Sequence, residues 1–180
     1  MLFRSVTPPP AGRKLRELFF NAHYVEDHSV ILYALGLPDF VVGPESNPAE
    51  RNVVGLINAV GAEIGRDVLR RRGLAVKIFE LLGGKPNHPV AAVPGGWSKQ
   101  LCEDERKQIE EWSKELVGLG ELTLQVFDDV VLKNDKYMEL VTGDMYRVEV
   151  GYMGSVDEQE RITYYDGTQK IIDSDGNLVG

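Results

Sequence analysis

Residues 103–132 read EDERKQIEEWSKELVGLGELTLQVFDDVVL. Ile109, Trp112, Leu116, Leu119, Leu122, Val126, Phe127 and Val130 recur at three- and four-residue steps, the period of an amphipathic helix. Glu103, Asp104 and Glu105 place negative charge in the first turn, where the helix dipole favours it. A helix of this length with one apolar face must cover that face with other helices, so the rest of the chain is read for partners.

Upstream lies a Pro/Gly-rich loop at 84–101, GKPNHPVAAVPGGWSKQL, longer than most connections in a domain. Gly83-Gly84 stops a helical stretch over 49–82. Its face carries Val53, Leu56, Ile57, Val60, Ile64, Val68 and Leu69, then Ala75, Ile78, Phe79 and Leu82, with Gly61 and Gly73 as candidate breaks. Asn47-Pro48-Ala49-Glu50 reads as the start: an Asn cap, a Pro in the first turn and a Glu at the capping-box position. A first helix runs from Gly12 through Leu15, Leu18, Phe19, Ala22, Val25, Ser29, Leu32 and Tyr33, and Pro38 is expected to end it. Residues 1–11, with Pro8-Pro9-Pro10, read as an extended lead-in.

Downstream of Lys133 the period changes. Tyr146, Val148 and Val150 alternate with polar residues as a half-buried strand would. Residues 162–165 and 170–173, joined through Asp166-Gly167, read as a hairpin with a type I′ turn, and Asp175-Gly176 marks a further turn with no closing element after it. The expected fold is α+β and mainly α, an antiparallel helical bundle with a small C-terminal β-hairpin unit. The bundle is assigned to 1–133, with its loop at 84–101, and the β unit to 134–180.

Composition narrows the function. The chain has 180 residues, 43% apolar and 27% charged, enough to bury a core without cross-links. Its net charge of −8 divides into +3 over residues 1–102 and −11 over 103–180. That acidic half argues against nucleic acid, whose phosphates need cations. Arg70-Arg71-Arg72 fan around a helix and read as a solvated face. No apolar run approaches the about 18 residues of a membrane span, and Met1 to Ala11 has no apolar signal region. A reducing, cytoplasmic location is the expectation. A single cysteine, Cys102, excludes an internal disulfide, a thiolate zinc site and a cysteine-held cluster.

Candidate chemistry is sparse. His23 and Asp27 share a helix face, but His28 lies five residues from His23, about 140° around the helix. The group His23, Glu26, Asp27 and His28 therefore reads as polar side chains satisfied by neighbours. Cys102 reads as a plain helix-boundary residue and Asp128-Asp129 as a solvated face. Gly84-Lys85 lacks the spacing of a phosphate loop. The stretch from His88 to Trp97 stands apart: a lone His, prolines that stiffen the path, a glycine pair, and apolar Ala91, Ala92 and Val93. It reads equally as an intramolecular crossing loop and as a partner surface.

Several segments together resemble the large subunit of cytoplasmic nickel–iron hydrogenases, in particular the methyl-viologen-reducing type. They are Arg13-Lys14-Leu15-Arg16-Glu17-Leu18 with Glu26-Asp27-His28 and the Leu-Pro-Asp ending at Asp39, then Leu82 to Pro89 with Pro94-Gly95-Gly96, and finally Gly154-Ser155-Val156-Asp157 with Tyr165-Asp166-Gly167. Ile31, where many members carry a second histidine, and Cys102, where a Thr or Ser cap is usual, depart from the pattern. So does the absence of both Cys-x-x-Cys motifs that hold the family's metals. The resemblance implies an internal segment of such a protein, with Met1 as an added start, no metal of its own and no activity alone. It implies a parent that oxidises hydrogen or reduces protons at a nickel–iron centre and whose partner is an iron–sulfur small subunit. It further implies that His88 faces the nearest cluster of that partner, with His88, Pro89, Pro94, Gly95 and Gly96 forming the contact. Self-association through exposed apolar surface is a further expectation. The alternative is a stand-alone, metal-free binding module built on the same scaffold.

Overall fold

The computed structural model describes residues 6–180; the reading of residues 1–5 as lead-in, and of Met1 as an added start, lies outside them. Two compact units are distinguished, Met1–Tyr137 and Met138–Gly180. Among the described residues, six α-helices and two two-stranded antiparallel hairpins dominate the regular structure, a mainly α form of the α+β class.

In the first unit, α1 (Pro10–Val30), α4 (Ala62–Gly83) and α5 (Glu103–Phe127) form the bundle. Contacts fix their directions. Along α1, Phe19 meets Gly83, His23 meets Phe79 and Glu26 meets Arg72, so the α4 numbers fall as the α1 numbers rise. Trp112 with Lys77 and Glu115 with Arg70 show the same descending order between α5 and α4. Both neighbours are therefore antiparallel to α4. The core they enclose is Ala22, Ile78, Phe79, Leu82 and Ile109, with Leu15, Leu18, Phe19, Trp97, Trp112 and Leu116 packed against it. Ile78 and Leu82 are 2% and 1% exposed.

Pro38 does not end the first helix. Residues Ile31–Gly36 open into a π turn, with the Leu37 N–H donating to the carbonyl of Leu32, and a short α2 (Leu37–Val41) continues with Pro38 at its start. The widened turn lets a residue with no N–H and a bulky ring sit where a regular helix would clash with it. The first helix also starts earlier than Gly12, because Pro10 and Ala11 occupy its first turn, where proline's fixed φ is an asset. The cap of the second stretch lies five residues beyond Asn47. Asn47 closes only a turn, accepting from Ala49 N–H at 3.0 Å. Asn52 caps α3 (Val53–Val60), its side-chain oxygen accepting from Val54 and Gly55 N–H while its amide donates to the Ala49 carbonyl. Gly61, at φ +96, separates α3 from α4, whereas Gly73 is continuous helix.

α5 runs on into a π turn, Asp128–Leu132, and a further helix, α6 (Asp135–Thr142), follows that the periodicity did not announce. Tyr137 donates from its hydroxyl to the Phe40 carbonyl at 2.9 Å and sets its ring edge against Phe40, fastening the start of α6 to α2.

In the second unit, 147–150 is not a strand. The strand is β3 (Tyr152–Val156), and it pairs with β4 (Thr168–Ile172) in the register Gly154 opposite Lys170. Residues 162–165 make one bridge, Ile162 with Val156, rather than a ladder to 170–173. Gly167 has φ +131, but Asp166 is not among the positive-φ residues, so a type I′ turn, which needs both, is absent there. The tail is closed: Val179 N–H donates to Ile171 and Ile171 N–H to Gly180, the chain folding back through the Asp173–Asn177 turn with Gly176 at φ +86.

Candidate loop site at the end of helix α4

The four last carbonyls of a helix have no partners inside it. At the end of α4 each finds one in the following loop. Gly84 N–H, with Gly84 left-handed at φ +84, donates to Glu80. Lys99 Nζ donates to Leu81, Trp97 Nε1 to Leu82 at 3.0 Å, and Val90 N–H to Gly83 at 3.0 Å. A cation over a helix C-terminus is also favoured by the dipole. Lys99 reaches Glu105 Oε1 at 2.9 Å as well, so one ammonium joins the end of α4 to the start of α5.

Inside the loop a hairpin forms that the sequence did not announce: β1 (Ala92–Val93) against β2 (Gly96–Trp97), turning at Pro94-Gly95. Trp97 tilts onto Phe19 at 5.3 Å between ring centroids, and Phe19 meets Phe79 edge-on at 6.1 Å. Ala91 is buried at 4% and Ser98 N–H donates to it at 2.7 Å. The guanidinium of Arg16, on α1, donates from Nη2 to Val93 at 2.6 Å and to Gly96 at 2.9 Å, and from Nε to Gly96 at 3.3 Å.

The predicted contact residues divide accordingly. Pro94, Gly95 and Gly96 form the hairpin tip. Pro89 lies against Gly83. His88 is exposed, left-handed at φ +51, and Val90 is 63% exposed. The crossing-loop reading thus describes 91–99, while 85–90 presents an outward face. Arg16, Trp97 and Lys99 hold this site; the sequence named Arg16 and Trp97 only as members of longer stretches and Lys99 not at all, because each acts on backbone carbonyls outside its own turn and leaves no local pattern.

The other candidates stay apart. Glu26 pairs with Arg72, His28 Nδ1 is 2.9 Å from the Tyr24 carbonyl, and His23 rests edge-on against Phe79. Cys102 is the exposed cap residue of α5, its N–H donating to Glu105 Oε2 at 3.0 Å. Among the described residues no group of three or more His, Cys, Asp and Glu side chains could hold a metal ion. With one thiol in the sequence, this chain's own donor set does not fit a nickel–iron centre.

Hydrogen bonds to the Glu105 carboxylate, from Cys102 N–H first and then Lys99, hold it below the ordinary value of 4.5. The stabilisation is complete above that ordinary value and is lost as pH falls through the lower folded one. On acidification from pH 6 to pH 3, the wild-type melting temperature is expected to fall further than that of Glu105→Gln; equal slopes by circular dichroism would contradict this.

No family model matches the chain. The iron-sulfur subunit of the F420-non-reducing hydrogenase of Archaeoglobus profundus is 63% identical over 174 residues, 97% of this chain and 36% of that protein. The vhu F420-non-reducing hydrogenase subunit of Methanocaldococcus jannaschii is 32% identical over 93% of this chain and 39% of its own length. The chain therefore spans little more than a third of these curated relatives. Among solved structures, an NAD+-reducing [NiFe]-hydrogenase in the H2-reduced state superposes with a TM-score of 0.86 at 24% identity, over 99% of this chain and 39% of that one, which speaks for the fold. Among the described residues no helix is long and apolar enough to cross a membrane. Over the stretch it spans, the chain belongs to the nickel–iron hydrogenase large-subunit family.

Proposed function

We propose that this chain is the helical scaffold segment of a cytoplasmic hydrogenase large subunit whose whole protein oxidises hydrogen or reduces protons. The nickel–iron centre would be held by thiolates that this chain does not contain, so no catalytic step is assigned to its residues. Its part is to hold the loop at 84–101 against an iron–sulfur partner, with His88 donating toward a sulfur that ligates the nearest cluster and Pro89, Pro94, Gly95 and Gly96 completing the contact. The observation that carries this reading is the high identity, over nearly the whole chain and with the loop included, to an F420-non-reducing hydrogenase subunit. Exposure of the His88 side chain on a loop anchored at both ends supports it.

In the complete enzyme, His88→Ala is expected to shift the reduction potential of that cluster, since hydrogen bonds to cluster sulfurs tune it. Redox-poised electron paramagnetic resonance reads the shift; an unchanged potential together with an unchanged electron-transfer rate would contradict the role of His88. The 180-residue chain on its own is expected to contain no stoichiometric nickel and to take up no hydrogen.

Apolar side chains are exposed on the helical unit, among them Leu35, Val54, Val117 and Leu124 at 63–71%. The isolated chain is expected to self-associate. Light scattering across a wide concentration range should show the mass rising; a constant monomer mass would contradict it.

A further inference from the structure

We infer that Arg16 is the positioning residue of the hairpin tip at Pro94-Gly95, an inference that rests on the function proposed above. The tip needs an external support. A hairpin of two residues per strand has little stability of its own. Its turn combines a proline, whose φ is fixed near about −65°, with Gly95 at φ +77, the type II pattern. That turn does not match the natural twist of paired strands, which favours the primed types. The shape is therefore imposed from outside.

Arg16 supplies the support in a way few side chains could. Val93 and Gly96 are the first and last residues of the turn, and one planar guanidinium donates to both carbonyls, at 2.6 and 2.9 Å. Nη2 reaches both oxygens and so draws the two ends of the turn together, and Nε adds a second bond to the Gly96 carbonyl at 3.3 Å that fixes the plane of the guanidinium. The helix beneath lies in contact with the turn. Gly12, one turn before Arg16, is buried, and a Cβ there would stand 3.5 Å from the Gly96 Cα. Gly12, Arg16 and Phe19 thus lie on one face of α1 and receive the turn, its two end carbonyls and Trp97 in succession. Trp97 and Lys99 hold the base of the hairpin through α4 carbonyls, whereas Arg16 holds its tip.

The test uses the complete enzyme with its iron–sulfur partner bound, comparing Arg16→Met, Arg16→Lys and His88→Ala. The readouts are the potential of the cluster nearest the interface, the rate of hydrogen-dependent dye reduction and the melting temperature. Arg16→Met is expected to shift the potential and to slow dye reduction about tenfold, the lower end of what losing an outer-shell partner does. Arg16→Lys keeps the charge and one nitrogen that can serve both carbonyls but loses the Nε bond to Gly96 and the planar constraint, and is expected to fall between Arg16→Met and wild type. Should Arg16→Met fail to assemble, Arg16→Lys carries the test. A lowered melting temperature with wild-type potential and rate would make Arg16 merely structural and overturn the inference. A shift in His88→Ala without one in the Arg16 variants overturns the inference and leaves the proposed function standing. The converse overturns the role of His88 and supports Arg16, and no shift in any variant overturns both.

Discussion

Phe79→Ala is expected to destabilise the helical unit by about 3–5 kcal/mol, the range for emptying a large aromatic site in a core that cannot collapse. Phe79 is 7% exposed and sits where α1, α4 and the loop converge. Phe19 meets it edge-on, and His23 meets it from the next turn of α1. Removing the ring leaves Phe19 without its support, and Phe19 in turn supports Trp97. Total stabilities of single domains run about 5–15 kcal/mol, so this loss is a large share. Urea unfolding followed by circular dichroism measures it. Leu69→Ala, on the same helix but 53% exposed, is the control. It should cost about 1 kcal/mol or less. Equal losses at the two positions would contradict the core described here.

The second large effect is a pair of glycine substitutions in α4 with opposite signs. A Cβ at Gly83 would fall 2.5 Å from Pro89 Cβ, closer than carbon atoms approach, and 3.0 Å from Phe19 Cε2, a tight contact. Gly83→Ala must push Pro89 and the adjoining His88 outward or displace Phe19, and is expected to cost about 1–3 kcal/mol. A Cβ at Gly73 meets nothing within 4 Å, and the position is regular helix. Gly73→Ala is expected to stabilise by about 0.5–1 kcal/mol, since alanine gives up less backbone freedom on folding. Thermal melts of the two variants decide the signs. The His88 ring resonances in an NMR spectrum should move in Gly83→Ala and stay in place in Gly73→Ala. A neutral Gly83→Ala would mean that the loop does not rest on α4.

The long helices were readable because their faces repeat for many turns, as Ile78, Phe79 and Leu82 do in α4 and Ile109, Leu116 and Leu119 do in α5. Shorter elements give too few repeats to register. α6 has only eight residues, and the loop hairpin has two per strand. Pro38 misled because its effect depends on the preceding backbone: a π turn opens the space that a regular helix denies it. The alternation at Tyr146, Val148 and Val150 is real in sequence, but a strand also needs a partner, and β4 aligns with Tyr152–Val156 instead. Asn47 and Asn52 are both good caps; the second wins because its amide also donates to Ala49 while its oxygen serves two N–H groups. At the site, His88 and the Pro94-Gly95-Gly96 tip could be picked out by residue type. Arg16 could not, since its contacts lie 77 and 80 residues away and run to carbonyls that every residue carries.

A structure of the complete hydrogenase with its iron–sulfur partner bound would place His88 directly. The account predicts the ring nitrogen of His88 within hydrogen-bonding distance of a cysteine sulfur that ligates the nearest cluster, with the Pro94-Gly95 turn still held by Arg16. A His88 turned to solvent, or a loop buried against the large subunit's own chain with the partner elsewhere, would contradict it.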